Sequence, residues 1–431
     1  MASARSVAAA PDGRLASYGW VIVAVCTFGI STGPAAFAFG SAGQFIGAFH
    51  DEFGWDRTQV SFGLLILTGM TALSLPFIGR LIDRYGARRV LVPSLVLFAA
   101  CLAAIPLFVR ELWQLHLVYV LMGTVAAGTN SVPFVRVIAA WFDRSRGLAI
   151  GIAGSGTGLG FAYVPLVVEY MTAHHGWRSA YYALAAIVLA ITLPLVLLLF
   201  RERPADLEPG IDGTAQPLHR SADVERSNES AGCTLREALA QRDFWVLIVV
   251  FVGLAFVVYG VLPHLVPLLK DRGIDSGTAA LIASMFGLSA FVGRVVIGWL
   301  IDHFFARNVA LVFFALSGAG LALLSADVPV GLLFVAAALV GGGLGAEVDL
   351  LAYLTSRYFG LRCFSEIFGV LFGAILVSIG LGPVVFGVVH DQTQSYTAVM
   401  YAGIGLCIVA VLVMVLLRPY PQWGTQRTTH D

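Results

Sequence analysis

The chain contains twelve largely apolar runs, and this feature limits its possible folds more than any other. With about 20 residues or more, each run can form a helix that crosses the roughly 30 Å hydrocarbon core of a bilayer. Only 12% of the residues are charged, against roughly 25% in soluble domains, and the mean hydropathy is +0.85. We therefore predict an all-α membrane protein with twelve transmembrane helices, numbered spans 1 to 12. Their approximate limits are 18–48, 58–79, 87–108, 112–141, 146–170, 178–200, 243–269, 277–301, 308–326, 329–356, 365–389 and 396–417.

One long polar segment, between spans 6 and 7, divides these runs into two sets of six. It includes "RERPADLEPGIDGTAQPLHRSADVERSNES", whose Pro, Gly, Ser and charge content is typical of a linker, and "TLREALAQRDF", which could form a short surface helix. The predicted organisation is an N-terminal tail at 1–17, a six-helix bundle at 18–200, a linker at 201–242, a second six-helix bundle at 243–418 and a C-terminal tail at 419–431.

The positions of the basic residues predict the orientation in the membrane. If the N-terminus is cytoplasmic, nineteen of the 26 Lys and Arg fall in inside segments and five in outside segments. The remaining two, Arg136 and Arg294, lie within spans. Because cytoplasmic loops carry an excess of Lys and Arg, both termini and the linker are expected in the cytoplasm of a multi-pass protein of the cell membrane.

Two loops repeat one pattern, "GRLIDRYGARRV" after span 2 and "GWLIDHFFARNV" after span 8. The Gly, Asp and Arg of the two copies correspond at one constant offset, which indicates an internal duplication. A plain basic cytoplasmic loop would explain the arginines but not this repeat. The glycine allows two helices to approach, and the aspartate is expected to bridge to an Arg and hold one conformational state. The candidate residues of this loop are Gly79, Asp83, Arg84, Gly86, Arg88, Arg89 and, in the second copy, Asp302.

The first of these loops resembles the signature loop between spans 2 and 3 of the Major Facilitator Superfamily. Within that superfamily, "WFDRSRGLAIGIAGSGTGLG" and the following "GWRSAYY" are similar to the monocarboxylate and oxalate/formate transporter families. The resemblance implies two pseudo-symmetric six-helix bundles around a central cavity, working by alternating access. It also implies that an arginine in span 8 binds the substrate carboxylate, and Arg294 occupies that place.

The residues around Arg294 lead to the same role by a separate argument. An arginine at membrane depth costs several kcal/mol unless it faces water or a partner, so such residues mark substrate or ion pathways by default. Its guanidinium stays protonated and offers a planar fork that fits a carboxylate. The alternative is a structural ion pair inside the C-terminal bundle.

Span 10 supplies two further charges in "GGGLGAEVDLLAYLTSRYFG". Glu347 and Asp349 are two residues apart and therefore point away from different sides of a helix. Asp349 and Arg294 each lie eight residues from the predicted inner end of their span, so both are expected at a depth of roughly 12 Å. In the family fold, spans 4 and 10 meet on the cytoplasmic side, where Arg136 with Glu347 or Asp349 would form a gate. Gate, proton-coupling site and purely structural pair remain open for these acids.

Three other polar residues and one glycine-rich stretch are weaker candidates. Tyr353, one turn after Asp349, could donate to a substrate or be an ordinary interfacial tyrosine. Asn130 could line the cavity or relieve a proline-perturbed helix. His264, between two prolines of span 7, is a candidate for a gate or for proton coupling. The glycines of "GIAGSGTGLG" lie inside span 5 without a following Lys-Ser/Thr pair, and indicate close helix packing at a hinge-like interface.

Departures from the family narrow the expected substrate. Oxalate exchangers hold a second carboxylate with a lysine in span 11, and this chain has none there, which disfavours a dicarboxylate. Animal-type monocarboxylate carriers have an aspartate one turn before the span 8 arginine and a lysine in span 1, where this chain has approximately Ala290 and Ser41. A proton relay would therefore need Glu347 or Asp349, and Asp349 is preferred because its expected depth matches that of Arg294.

We expect a proton-coupled secondary transporter of a small monocarboxylate such as lactate or pyruvate, with an organic anion exchanger as the alternative. A transport-inactive membrane sensor is a third interpretation, although the linker and tails leave little room for a signalling domain. The expected partners are a small organic anion, H⁺ and the lipid bilayer, with no nucleic acid, and the protein is expected to function as a monomer. No catalytic constellation, metal site or cofactor is predicted, because no nucleophile with base and orienting partner is visible and the five cysteines occur singly.

Overall fold

The computed structural model describes residues 13–142, 146–202, 232–360, 362–418 and 420, and nearly all of them are helical. It confirms the predicted fold class. Eleven described helices are long and apolar enough to span a membrane, and a twelfth span is a pair of helices bent by 40°. The bounds of spans 1 to 6 are Tyr18–Ser31 with Pro34–Phe53, Arg57–Tyr85, Ala87–Phe108, Leu112–Trp141, Gly147–His175 and Trp177–Leu199. Those of spans 7 to 12 are Arg242–Asp271, Ser276–Ile301, Ala306–Ser325, Val330–Phe359, Glu366–Thr393 and Thr397–Val415.

Several N-terminal spans are interrupted, and the interruptions lie near prolines or glycines. Span 1 bends before Pro34, whose ring suits the first turn of a helix. Span 4 consists of Leu112–Val125, a 3₁₀ turn at Ala126–Thr129 and Ser131–Trp141. Span 5 consists of Arg146–Gly154 and Gly156–His175. Span 6 contains a π turn, Val188–Thr192, between Trp177–Ile187 and Leu193–Leu199. The remaining spans are single helices, including span 7, which continues through both of its prolines.

The described end of the linker is attached to the C-terminal bundle. A short helix, Leu235–Ala240, starts at a capping box in which the Thr234 side chain accepts from the Glu237 N–H and the Glu237 carboxylate accepts from the Thr234 N–H. These bonds lower the pKa of Glu237. The Cys233 N–H donates to the Phe359 carbonyl at 3.0 Å, which ties the linker to the end of span 10. The surface helix expected in "TLREALAQRDF" is therefore present, while most of the linker lies outside the described residues.

The internal duplication is visible in contacts that recur in both halves. The Arg88 guanidinium donates to the Leu197 carbonyl at the end of span 6, and the Arg307 Nη1 donates to the Leu417 carbonyl after span 12 at 3.0 Å. In each half, the basic residue that begins the third span thus binds the end of the sixth. This is the arrangement expected of two copies of one bundle.

A second pair of equivalent contacts lies at the same end of the bundles. The Trp141 indole N–H donates to the Arg201 carbonyl at 2.8 Å, and the Tyr358 hydroxyl donates to the Arg418 carbonyl at 2.6 Å. Each contact joins the end of the fourth span of a half to the segment after the sixth. Both lie at the end of the molecule where the linker attaches, called the linker end here, and the opposite end is called the far end.

The two halves are in contact at the far end and separate toward the linker end. Gly387, Gly380 and Gly373 lie seven residues apart, on one face of span 11. A Cβ on Gly387 would lie 2.8 Å from the Thr58 backbone of span 2, and one on Gly380 would lie 2.6 Å from Leu65, whereas one on Gly373 would have no atom within 4 Å. This face of span 11 therefore packs on span 2 at the far end and separates from span 2 toward the linker end. The space between the two halves opens at the linker end.

Candidate functional site

Arg294 lies in the middle of the molecule and is held by three hydrogen bonds. Its Nε donates to Asp349 Oδ2 at 2.7 Å and its Nη2 donates to Asp349 Oδ1 at 3.1 Å, so one edge of the guanidinium pairs with the whole carboxylate. Its Nη1 donates to the Gly154 carbonyl at 2.7 Å. The equal depth predicted for Arg294 and Asp349 corresponds to direct contact in the structure.

The carbonyl that binds Arg294 is exposed by the interruption of span 5. One helix ends at Gly154 and the next starts at Gly156, so the last carbonyls of the first helix lack their usual partners within a helix. Gly154 also leaves room for the guanidinium, since a Cβ there would lie 3.0 Å from the Arg294 Cζ. Because Gly154 belongs to the N-terminal half and Arg294 to the C-terminal half, this bond crosses between the two bundles.

Glu347 is the second acid at this site, and its environment differs from that of Asp349. The Glu347 side chain is 1% exposed, and neither carboxylate oxygen has a hydrogen-bond partner among the described residues. Arg294 is the charged group that acts on it electrostatically. The Asp349 side chain is 32% exposed and fully paired with Arg294.

Tyr259 of span 7 completes the site and was not predicted. It lies within electrostatic range of both Arg294 and Glu347, and its ring packs edge-on against Phe39 of span 1 at a centroid distance of 5.6 Å. In the sequence it is one aromatic residue within a long apolar run, and tyrosines are common there, so no local signal distinguishes it. We call Arg294, Asp349, Glu347, Gly154 and Tyr259 the central site.

Arg136 lies nearer the linker end and does not contact the acids of span 10. Its Nη1 donates to the Asp83 carboxylate at the end of span 2. The gate expected between Arg136 and Glu347 or Asp349 is therefore not formed, because those acids lie deeper and both face Arg294. Arg136 lines an open cavity of about 620 Å³ along span 4. The other lining residues are Ser131, Val132, Val135, Ala139 and Ala140.

The signature loop is held by contacts to the end of the first bundle. Gly86 has φ +90°, and a Cβ there would lie 2.8 Å from the Glu202 carboxylate, so glycine is required. The same carboxylate accepts from the Arg88 backbone N–H at 2.6 Å. The Arg84 guanidinium lies over the Tyr85 ring. Gly79 faces open space, so the close helix approach expected at this glycine is not formed in the conformation described here. Arg89 is exposed at the start of span 3, and the Asp302 side chain lies outside the described residues.

Replacing Asp83 by asparagine should slow transport severalfold without changing which substrates bind. The Asp83–Arg136 pair is largely exposed, and exposed pairs contribute about 0–1 kcal/mol to stability, so its loss should alter the balance of conformations rather than the fold. Initial uptake rates and a competitor profile measure both effects. The exposed Asp51→Asn at the far end is the control, and a changed substrate profile in Asp83→Asn would contradict this role.

The structure separates the remaining predicted residues from the central site. The Tyr353 hydroxyl accepts from the Arg357 Nε at 3.2 Å and from its Nη2 at 3.1 Å. This contact lies nearer the linker end than the central site does. Asn130 caps the helix Ser131–Trp141, accepting from the Ser131 N–H at 2.9 Å. Asn130 thus restarts span 4 after its 3₁₀ turn, which is the structural alternative weighed for it.

His264 is buried at the far end, where it joins the two halves. Its Nε2 lies 2.9 Å from the Pro383 carbonyl and 3.2 Å from the Ser61 Oγ, and its Nδ1 lies 2.8 Å from the Tyr396 hydroxyl. Ser61 belongs to span 2 of the N-terminal half, whereas Pro383 and Tyr396 belong to the C-terminal half. This places His264 in the contact that closes the far end rather than beside Arg294.

Charged residues that sequence reasoning missed strengthen this closure. The Arg57 guanidinium pairs with both carboxylate oxygens of Asp271 at 2.8 Å. The Thr58 backbone N–H donates to Asp391 Oδ2 at 2.8 Å. Both contacts join span 2 to the C-terminal half. The two members of each pair lie more than 200 positions apart in the chain. They also lie at span ends, where charged residues are common, so the sequence carries no signal that they pair.

Comparisons with known proteins agree with this geometry. The family model of the Major Facilitator Superfamily matches residues 28–372 and 261–431. The gallate transporter of Pseudomonas putida is 27% identical over 413 residues, covering 86% of this chain and 89% of that protein. Monocarboxylate transporter 12 of Rattus norvegicus is 26% identical over 437 residues, covering 94% of this chain and 86% of that protein.

Solved structures show the same fold at low sequence identity. An inward-facing, unoccupied bacterial homolog of the human lysosomal transporter Spinster has a TM-score of 0.66 at 17% identity and covers 94% of this chain and 97% of its own. A mutant of the nucleoside transporter NupG has a TM-score of 0.68 at 15% identity, covering 93% and 99%. The family match and the two relatives confirm the resemblance predicted from the first loop and from the span 5 sequence, and the solved structures confirm the fold.

Proposed function

This chain belongs to the Major Facilitator Superfamily, and on that premise we propose that it is a secondary transporter of a small organic monocarboxylate. The observation that carries the proposal is the arrangement of Arg294 at the contact between the halves. A fixed guanidinium at this position can bind an anion that enters from the open side. Its bond to the Gly154 carbonyl of the N-terminal half can form in one conformation and break in another.

The hydrogen bonds of Arg294 leave capacity for a ligand. A guanidinium has five N–H donors. Asp349 accepts two and the Gly154 carbonyl accepts one. Among the described residues, two donors therefore remain, one on Nη1 and one on Nη2, which matches the two oxygens of one carboxylate. Asp349 then acts as a positioning residue that holds the plane of the guanidinium.

The orientation follows from the charge distribution and the open end. We place the linker end in the cytoplasm, because nineteen of the 26 Lys and Arg lie in the segments on that side. The conformation described here is then open to the cytoplasm and closed outside by the contacts of Arg57 and His264. The two bundles at 18–200 and 243–418 act as the moving bodies of an alternating-access cycle in the cell membrane, and one chain contains the complete pathway.

The relatives support the chemical class of the substrate. One is named for gallate and the other for monocarboxylates, and gallate is itself a monocarboxylate with an aromatic ring. Inward movement of such an anion is opposed by about 2.3 kcal/mol per 100 mV of negative-inside potential. Accumulation therefore needs a compensating cation, and we propose H⁺, carried by an acid of span 10.

Uptake into proteoliposomes tests the proposal. Purified protein is reconstituted, and labelled lactate, pyruvate, gallate and oxalate are compared with and without an inward pH gradient. We expect saturable uptake of a monocarboxylate that accumulates with the gradient, and weak uptake of the dicarboxylate. Exchange without gradient-driven accumulation would identify an anion exchanger instead. No uptake or binding of any carboxylate would overturn the proposed function.

A further inference from the structure

We infer that Glu347 is the proton-carrying group of the central site, whereas Asp349 stays ionised and holds Arg294 in position. The inference rests on the proposed function and assigns its two acids to different tasks. It departs from the prediction based on depth, which favoured Asp349. The observation behind it is that Arg294 is hydrogen-bonded to Asp349 and acts on Glu347 only electrostatically, so the two carboxyl groups have opposite surroundings.

Asp349 has the surroundings of a permanent carboxylate. Both of its oxygens accept from Arg294, at 2.7 Å and 3.1 Å, and 32% of the side chain is exposed. Protonating it would remove one of these charge-assisted bonds and leave the guanidinium without its counter-ion. An unpaired guanidinium at this depth is unfavourable, so Asp349 is a poor site for a proton that must come and go.

Glu347 has the surroundings of a neutral acid. The side chain is 1% exposed, and its two oxygens have no donor among the described residues. An ionised carboxylate in such a place would lose its hydration without replacement, which is unfavourable. A protonated carboxyl avoids most of that cost. Glu347 therefore carries a proton in the arrangement described here, where the Arg294 guanidinium is directed to Asp349 and Gly154.

The ionisable groups that face Glu347 come from two neighbouring spans. Arg294 acts from span 8, and Tyr259 acts from span 7. The sequences of spans 9 and 11, which also pack on span 10, carry ionisable side chains only near their ends. These are Arg307 on span 9 and Glu366, His390 and Asp391 on span 11. Arg294 is thus the cation in reach of Glu347 within these spans, and its remaining N–H donors decide whether Glu347 ionises.

The charges of the cycle balance with one proton per substrate. With substrate bound, Arg294 is +1, Asp349 is −1, Glu347 is neutral and the substrate is −1, which sums to −1. After the substrate and the proton leave, Glu347 is −1 and can accept from the freed donors of Arg294, so the sum is again −1. Substrate carboxylate and ionised Glu347 compete for the same donors, and by reciprocal linkage substrate binding favours protonation of Glu347. The proton is taken from water on one side and released to water on the other.

Separate neutralisation of the two acids tests the inference. Glu347→Gln mimics the protonated side chain, so it should bind substrate with affinity that no longer depends on pH and should support exchange between equal pH values. It should lose pH-gradient-driven accumulation and the proton influx that accompanies substrate entry. Asp349→Asn should instead weaken binding at least severalfold and keep the pH dependence of the binding that remains. Glu347→Asp, which keeps an acid, should retain part of the coupling.

The outcomes separate the inference from the proposed function. If wild-type protein accumulates a monocarboxylate and Glu347→Gln does so equally, only the assignment of Glu347 is overturned. If wild-type protein neither binds nor moves any carboxylate, the proposed function itself fails. Should Glu347→Gln not fold, the affinity of the wild-type protein must still fall as pH rises, because ionised Glu347 repels the anion. A wild-type affinity that is flat with pH would then overturn the inference.

Discussion

We expect Arg294→Lys to lose carboxylate binding and uptake, and Arg294→Ala to lose them at least as completely. Lysine supplies a point charge and cannot hold Asp349 with one edge of a planar group while it presents two further donors to a substrate. Losing a buried, hydrogen-bonded charge contact costs about 3–5 kcal/mol, which is more than a hundredfold in affinity. Binding of the labelled acid to purified protein measures the effect directly.

The design of this experiment separates binding from folding. Arg294→Lys keeps a positive charge near Asp349 and should insert and fold, as judged by gel filtration and thermal unfolding. Arg178→Lys is the matched control, because Arg178 also pairs with a carboxylate, that of Glu52, but at the far end of the N-terminal half. It should bind and transport like the wild type. Retained affinity in Arg294→Lys would refute the role of the guanidinium fork.

Gly287→Ala should reduce transport by an order of magnitude or more, because spans 5 and 8 meet backbone to backbone at this residue. A Cβ on Gly287 would lie 2.2 Å from the Phe161 carbonyl carbon and from the Ala162 nitrogen. These are backbone atoms and cannot turn aside as a side chain would. Overpacking of this kind costs about 1–3 kcal/mol, and about 1.4 kcal/mol is tenfold in an equilibrium. The methyl group therefore disfavours the conformation with the two spans in contact.

A glycine of the same helix provides the control for this effect. A Cβ on Gly277 has no atom within 4 Å, and Gly277 lies outside the repeated loop, so Gly277→Ala should transport at the wild-type rate. The distance between spin labels on spans 5 and 8 should increase in Gly287→Ala only. Equal uptake rates and equal distances in the two variants would show that the close approach is unimportant.

The central site illustrates which contacts the sequence could suggest. Counting residues from the span ends placed Arg294 and Asp349 at one depth, and they are in contact. The same count favoured Asp349 over Glu347 as the proton site, but it carried no information on the surroundings of either carboxyl group. Two residues on a helix differ by about 200° in direction, and only the packing of span 10 against spans 7 and 8 sets its rotation. The count also could not predict the contact between Arg294 and Gly154. Arg294 binds the backbone carbonyl there, and every residue has a backbone carbonyl.

The arrangement of the spans was the part that the sequence determined by itself. A bilayer requires about 20 apolar residues per helix and internal satisfaction of the backbone, so the twelve spans, the division into six and six and the repeated loop could all be derived from local composition and spacing. Only the tertiary structure decided which ionisable groups meet. The bonds of Arg136 to Asp83, of Arg57 to Asp271 and of His264 to Tyr396 join segments far apart in the chain, and depend on helix rotation and on which end of the protein is closed. Local sequence carries no record of either.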